Sequence, residues 1–122
     1  MSKKESFIIN RLRSVGYAFR GLKILVTTEK SIQIQLIIAI IVTGFGIYFK
    51  ITPLEWIIQI TMIGLVMAIE GVNTAIEQLA DFVHPDQHAK IGYLKDIAAG
   101  AVLIASIIAI TVGIIIYSPY FL

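Results

Sequence analysis

The sequence contains no cysteine and few charged residues. Without cysteine the chain has no disulfide bond, no thiolate metal site and no cysteine nucleophile. Charged residues make up 15% of its 122 residues and hydrophobic residues 57%. A soluble domain has about 25% charged residues, and disordered chains are poor in apolar residues. The composition therefore disfavours both a soluble globule and a disordered chain.

Several motifs of soluble proteins are also missing. There is no glycine-rich phosphate loop of the GxxxxGK[ST] or GxGxxG type and no HExxH zinc motif. His84 and His88 are four residues apart, but Pro85 lies between them and no third ligand is evident, which disfavours a zinc site. The basic residues lie beside apolar runs, so a membrane surface explains them better than nucleic acid.

Three stretches of the chain carry no charge, at residues 31–49, 56–69 and 97–122. A membrane-spanning helix needs about 20 mostly apolar residues. The first and third stretches are long enough, and Pro119 is expected to end the third. The second is long enough only if its helix continues through Glu70 and Glu77. Carboxylates are therefore expected inside a membrane span.

These stretches predict an all-α membrane protein made of a single domain over residues 1–122. The predicted transmembrane helices lie at about 31–49, 54–80 and 97–118. Three spans are too few to enclose a site easily, so an oligomeric helical bundle is expected. Ala101, Ala105, Ala109 and Gly113 recur at every fourth residue, a spacing that lets helices approach closely in lipid.

Residues 1–29 are predicted to form an amphipathic helix on the membrane surface. Apolar residues from Ile8 to Val26 recur at spacings of three and four, within an arc of about 80° on a helix. Asn10, Arg13 and Tyr17 fall on the opposite face. Cationic helices of this kind lie at the level of the lipid headgroups. The pattern is compatible with a simple anchor or with a helix that also contacts an anionic ligand.

The distribution of basic residues predicts the orientation. Residues 1–30 contain seven Lys or Arg and two Glu, whereas residues 31–122 contain three Lys and six acidic residues. Segments rich in Lys and Arg remain in the cytoplasm. The N-terminus and the connection at 81–96 are therefore expected in the cytoplasm, and the C-terminus on the other side of the membrane.

A stripe of polar residues occupies the second predicted span. Glu70, Asn73, Glu77 and Asp81 follow the spacing i, i+3, i+7 and i+11, and fall within an arc of about 80° on a helix. A charge at the bilayer centre costs at least about 2.5–3.5 kcal/mol, so such residues usually face a protein interior or a wet cavity and serve a function. The alternative is a polar network that only joins helices.

The residue types in this stripe suit phosphate chemistry. Mg²⁺ is typically held by one or two carboxylates together with substrate phosphates, and a carboxylate can act as general base toward a hydroxyl. Lys95, Asp96 and Glu29 are expected at the same depth, although Lys95 could be an ordinary basic flank and Glu29 a solvated helix-end charge. An interface enzyme, a proton- or cation-coupled transporter subunit and a non-catalytic scaffold are the competing functions.

Two sequence motifs resemble the prokaryotic diacylglycerol kinase family, which includes the undecaprenol kinases. They are Glu70-x-x-Asn73-Thr74-Ala75-Ile76-Glu77-x-x-x-Asp81 and Lys95-Asp96-Ile97-Ala98-Ala99-Gly100-Ala101-Val102-Leu103. The resemblance implies a small homotrimer in the bacterial inner membrane. It also implies transfer of the γ-phosphoryl group of MgATP to a lipid hydroxyl, of diacylglycerol or undecaprenol, at sites between subunits near the cytoplasmic interface.

The resemblance also implies roles for individual residues. Glu70 would be the general base on the lipid hydroxyl, and Asn73 would support this centre. Glu77 and Glu29 would hold Mg²⁺ bound to the nucleotide. The remaining predicted contacts to ATP are Tyr17, His88, Lys95 and Asp96. Family members often have an arginine where this chain has Asn10, so Arg11 or Arg13 is expected to supply that charge.

Overall fold

A computed structural model describes residues 3–122 of the protein, and the side chains of residues 6–122. Residues 1 and 2, which begin the predicted surface helix, lie outside the described residues. The described chain forms four α-helices and no strand. The helices are α1 (Lys3–Thr28), α2 (Lys30–Phe49), α3 (Pro53–Val83) and α4 (Ala89–Phe121). The all-α class is confirmed for this part of the chain.

Helices α2, α3 and α4 are each long and apolar enough to cross a membrane. The predicted spans lie within them, and each helix extends beyond its span. Helix α3 runs through Glu70 and Glu77 to Val83 without interruption, as its polar stripe requires. The connection between α3 and α4 comprises only residues 84–88, so it is shorter than the connection predicted at 81–96.

Pro119 does not end α4, contrary to the prediction. The helix continues to Phe121, and the backbone N–H of Leu122 still donates to the carbonyl oxygen of Ser118 over 3.1 Å. A proline in the final turn removes only one backbone donor. The cost of losing this donor is small, because no further helical turn follows the proline. The helical end is therefore two residues later than the sequence suggested.

The turn between α2 and α3 is specified locally. Lys50 adopts a left-handed conformation with φ of 52°, and the N–H of Ile51 donates to the carbonyl oxygen of Gly46 over 3.2 Å. This pattern closes a helix C-terminus. Thr52 and Glu55 then form a capping box at the start of α3, and such a box satisfies N–H groups that the helix leaves free.

Helices α3 and α4 are antiparallel neighbours, α2 packs on α3, and α1 contacts α2. On α4 the buried alanines are Ala98 and Ala105, whereas Ala101 is exposed. A spacing of four residues drifts by about 40° per step on a helix, while a spacing of seven nearly returns to the same face. The predicted small-residue stripe is therefore only partly buried, and Ala98 extends its buried face.

The bundle has two chemically different ends. We call the end with residues 45–59 and 116–121 the aromatic end, and the opposite end, with the stripe of Glu70, Asn73, Glu77 and Asp81, the carboxylate end. At the aromatic end, Ile51, Ile116 and Tyr117 form a buried cluster. Gly46 lies directly against Trp56, where a Cβ atom would stand 2.7 Å from the indole ring. This glycine permits the close approach of α2 and α3.

Candidate functional site

Glu70 and Asn73 lie in the interior of the bundle. Their exposed fractions are 8% and 7%, and within residues 6–122 the only other buried polar side chain is Gln59. Both are on α3, one turn apart, on the face that its spacing predicts. A buried carboxylate on a helix that is long and apolar enough to cross a membrane makes Glu70 a candidate functional residue.

Asn73 links the stripe along the helix. Its side-chain Nδ2 donates a hydrogen bond to Oε1 of Glu77 over 3.1 Å, while its Oδ1 is buried without a partner among the described residues. A buried polar atom without a partner costs about 1–3 kcal/mol. The oxygens of Asn73 and Glu77 together form an incomplete polar centre that a cation or a donor group could complete.

Helix α1 brings Glu29 to the same end. Leu25 in α1 approaches Gly71 in α3 so closely that a Cβ atom on Gly71 would lie 3.1 Å from the leucine side chain. Glu29 follows one turn later, donates its backbone N–H to the carbonyl oxygen of Leu25 over 3.1 Å, and precedes the first residue of α2. Glu29 is thereby placed at the carboxylate end together with Glu70 and Glu77.

The predicted metal ligands do not form a complete site within one chain. Across residues 6–122, no three His, Asp or Glu side chains are close enough to hold a metal ion. Mg²⁺ needs fewer protein ligands than Zn²⁺, because it keeps several waters and often binds substrate phosphates. Among residues 6–122, Glu29 and Glu77 therefore belong to no cluster of three metal-binding side chains.

The start of α4 contributes Lys95 and Asp96. Lys95 forms an ion pair with Asp81 of α3. Asp96 is exposed. The Lys95 and Asp81 side chains keep 35% and 59% of their surface exposed, so the pair is accessible to a competing phosphate. Both Lys95 and Asp96 lie in the second turn of α4, which begins earlier than the predicted span.

The connection between α3 and α4 lines a cleft of about 530 Å³. His88 and Lys95 both border this cleft, as does Asp81. His88 caps α4 by accepting a hydrogen bond from the N–H of Lys90 over 3.0 Å. Tyr17, by contrast, is 63% exposed on α1 and does not line the cleft. The structure therefore brings together His88 and Lys95 but leaves Tyr17 apart from them.

Two polar residues in the charge-free stretches were not predicted as site residues. Gln35 of α2 and Ser106 of α4 line a cavity of about 320 Å³ between α2, α3 and α4. The buried Oε1 atom of Gln35 has no partner in the described part of the chain. An amide within an apolar run is the sequence signal that could have identified Gln35, although Gln33 two residues earlier shares it.

Comparisons with known proteins agree with the motif. Residues 16–117 match the family model described as prokaryotic diacylglycerol kinase. The protein named undecaprenol kinase in Bacillus subtilis is 32% identical over 119 residues, which cover 97% of each chain. The protein named diacylglycerol kinase in Escherichia coli K12 is 26% identical over 110 residues, or 90% of each chain. The one from Haemophilus influenzae is 29% identical over 102 residues, 84% of this chain and 86% of the relative. The family predicted from the motif is thus confirmed, and the chain belongs to the prokaryotic diacylglycerol kinase family.

Proposed function

We propose that the protein is a lipid kinase that transfers the γ-phosphoryl group of ATP to the hydroxyl of a membrane lipid, diacylglycerol or undecaprenol. The observation that carries this function is the buried pair of Glu70 and Asn73 on a membrane-crossing helix, beside Glu77. The family and the names of the relatives support the same activity. The transporter alternative has no support.

Glu70 is the proposed general base. The lipid hydroxyl oxygen forms a bond to the γ-phosphorus, and the bond between that phosphorus and the β,γ-bridging oxygen breaks, leaving ADP. The hydroxyl proton passes to Glu70. Phosphoryl transfer depends mainly on positioning and on neutralising charge, and needs little further chemistry from the protein. A single buried carboxylate at the membrane interface is therefore sufficient as a base.

The oxygens near Glu70 fit a magnesium ion. Glu77 and Glu29 would hold it, and the free Oδ1 of Asn73 is a further oxygen ligand of the type that Mg²⁺ prefers. When bound, the ion neutralises charge on the transferred phosphoryl group. Asn73 also holds the Glu77 carboxylate through its Nδ2, so it keeps that ligand oriented.

Lys95, Asp96, His88 and Tyr17 are the proposed contacts to ATP. The ion pair between Lys95 and Asp81 is exposed, and such pairs contribute only about 0–1 kcal/mol. A nucleotide phosphate can thus replace Asp81 as the partner of Lys95 at little cost. Arg11 or Arg13 on α1 would add the charge that Asn10 lacks.

A homotrimer in the bacterial inner membrane, with the carboxylate end toward the cytoplasm, completes the proposal. The basic residues of α1 support this orientation. Val72, Leu79 and Val83, which are exposed on α3 in the single chain, are the proposed contact surface for a neighbouring copy. A neighbouring copy would cover them and would bring a second α1, with its Tyr17, to the site.

The first experiment measures phosphate transfer from labelled ATP with Mg²⁺ by the purified protein in mixed micelles. Diacylglycerol and undecaprenol are supplied separately. Product on either lipid supports the kinase, and the preferred lipid identifies its acceptor. Failure to bind MgATP and failure to phosphorylate either lipid, by a protein that is assembled and folded, would overturn the proposed function.

A further inference from the structure

Glu29 is the single residue between α1 and α2, and its backbone interrupts the helical path. It has an extended conformation, with φ of −99° and ψ of 111°. Its carboxylate does not cap α2 and forms no hydrogen bond or ion pair within residues 6–122. Ser, Thr, Asp and Asn are the usual residues at this helix position. Helix capping therefore does not explain the glutamate, and its carboxylate is free to bind another partner.

Gln33 spans the break between α1 and α2 with its side chain. In an uninterrupted helix the carbonyl oxygen of Val26 would accept the N–H of Lys30. Here it accepts the side-chain Nε2 of Gln33 instead, over 3.0 Å. The backbone N–H of Gln33 also donates to the carbonyl oxygen of Glu29 over 3.0 Å. Gln33 thus fixes both sides of the break, and with it the direction in which the Glu29 side chain leaves the backbone.

Leu25 docks the end of α1 on α3. It is half-buried, whereas Leu22 and Ile24 beside it are exposed. A Cβ atom on Gly71 would stand 3.1 Å from the Leu25 side chain, but one on Gly64 of the same helix would have no atom within 4 Å. Glycine weakens a helix relative to alanine. The approach of Leu25 therefore gives a reason for glycine at position 71 that does not apply to Gly64.

The docking of Leu25 determines where Glu29 lies. The carbonyl oxygen of Leu25 accepts the N–H of Glu29 one turn later, over 3.1 Å. Gly71 follows Glu70 directly and lies on the same helix as Glu77. A movement of Leu25 away from Gly71 would therefore move Glu29 relative to both of these carboxylates.

We propose that three residues position a ligand of Mg²⁺ without binding the ion themselves: Leu25, Gly71 and Gln33. They hold the Glu29 carboxylate in the direction in which it meets the ion bound by Glu77. The inference rests on the proposed kinase function. Metal ligands depend on supporting contacts of this kind, and loss of such a contact typically weakens metal binding by about 10- to 100-fold.

Filling the space beside Leu25 tests the docking of α1. The measurement is equilibrium dialysis of a radiolabelled, non-hydrolysable ATP analogue, once with Mg²⁺ and once with EDTA. We expect Gly71→Ala to raise the Kd of the Mg²⁺ complex about 10- to 100-fold and to leave the Kd of the metal-free analogue unchanged. Gly64→Ala is the matched control and should change neither value, because its methyl group meets no atom. Equal effects of Gly71→Ala with and without Mg²⁺ would indicate a merely structural role and overturn the inference.

Shortening Leu25 tests whether it acts as a pair with Gly71. Leu25→Val removes about as much volume as Gly71→Ala adds, and changes that conserve volume are tolerated best. We expect the double variant to recover most of the Mg²⁺-dependent affinity that Gly71→Ala loses. A folded double variant as weak as Gly71→Ala alone would overturn the inference. Where Gly71→Ala does not fold, Leu25→Ala replaces it, because a smaller side chain cannot clash, and should show the same loss confined to the Mg²⁺ complex.

Removing the side-chain hydrogen bond of Gln33 tests the break in the absence of any ligand. Gln33→Met keeps the length of the side chain but has no N–H to donate. We expect faster hydrogen–deuterium exchange at the backbone amides of Glu29 and Gln33 in the nucleotide-free protein. The Kd of the Mg²⁺ complex should rise about 2- to 10-fold, the usual range for one lost hydrogen bond. Gln78→Met is the control, because Gln78 is exposed on α3 and has no side-chain hydrogen bond in the described part of the chain. Unchanged exchange and an unchanged Kd would overturn the role of Gln33.

Failure of the kinase function would look different from failure of this inference. A wild-type protein that binds the analogue no more tightly with Mg²⁺ than with EDTA, and that phosphorylates neither lipid, would refute the kinase function and the inference together. An active wild-type protein whose Gly71→Ala variant keeps the full effect of Mg²⁺ on binding would refute only the positioning role.

Discussion

The aromatic end and the carboxylate end of the bundle differ in how completely their polar groups are paired. At the aromatic end, the Tyr117 hydroxyl bonds Gln59, and the Tyr120 hydroxyl donates to the Glu55 carboxylate over 2.6 Å. At the carboxylate end, Asn73 leaves its Oδ1 unpaired within the described chain. Both ends contain buried or half-buried polar residues, so burial alone does not distinguish them.

We interpret the difference as a division between the part of the molecule that stabilises the fold and the part that we propose binds ligands. Three helices meet at the aromatic end through satisfied hydrogen bonds and through edge-to-face contacts among aromatic rings such as Phe45, Phe49 and Phe121. Unsatisfied buried atoms are destabilising by themselves, and they persist at sites where a ligand completes them. Substitutions at the two ends should therefore affect different measurements.

The largest expected effect is on turnover, from Glu70→Gln. A positioned general base typically contributes 10²- to 10⁴-fold, so we expect kcat to fall by about that factor while the protein remains folded and assembled. Phosphate transfer in micelles measures it. Glu55→Gln at the aromatic end is the matched control and should retain normal turnover. A Glu70→Gln protein with normal turnover would exclude Glu70 as the base.

The next effect is on magnesium, from Asn73→Ala. This change removes the hydrogen bond that orients Glu77. Loss of such an orienting partner typically weakens metal binding by about 10- to 100-fold. We expect the Mg²⁺ concentration for half-maximal activity to rise by this factor in a titration at saturating ATP. An unchanged Mg²⁺ requirement would show that Asn73 does not support the metal ligand.

A smaller effect, on stability, is expected from Tyr117→Phe. The change leaves Oε1 of Gln59 buried without its donor, which costs about 1–3 kcal/mol in the free energy of unfolding. Denaturant unfolding in detergent measures it, and kcat should not change. Tyr48→Phe is the control: Tyr48 is highly exposed, so its loss of a hydroxyl should change stability by less than about 0.5 kcal/mol. Equal effects of the two changes would contradict the stabilising role of the aromatic end.

The smallest effect is expected from Asp81→Asn at the carboxylate end. Its ion pair with Lys95 is exposed, so the free energy of unfolding should change by less than about 1 kcal/mol. The same unfolding measurement at low and high salt tests this. A loss of several kcal/mol in the free energy of unfolding would mean that the ion pair of Asp81 and Lys95 holds α3 and α4 together, as the hydrogen bonds at the aromatic end do.

Much of the fold follows from local sequence patterns. The length of the apolar runs predicts α2 and α4, and the spacing of Glu70, Asn73 and Glu77 predicts that α3 continues as one helix with these side chains on one face. The break near Pro85 correctly ends α3, because the residue before a proline avoids helical backbone. The motif also predicts the family. These features depend on residues close together in the chain, or on a pattern shared with relatives.

The sequence by itself determined the helices, the polar stripe and the family, because helix periodicity places residues three, four and seven apart on one face regardless of what packs there. Only the tertiary structure decided which polar groups found partners. Gln59 and Gln35 are both amides in apolar surroundings, yet only Gln59 is reached by a tyrosine, 58 residues later in the chain. The pairing of Asp81 with Lys95 and the packing of Gly46 on Trp56 likewise depend on the register between helices. That register arises from the packing of side chains distant in sequence, and no local pattern encodes it.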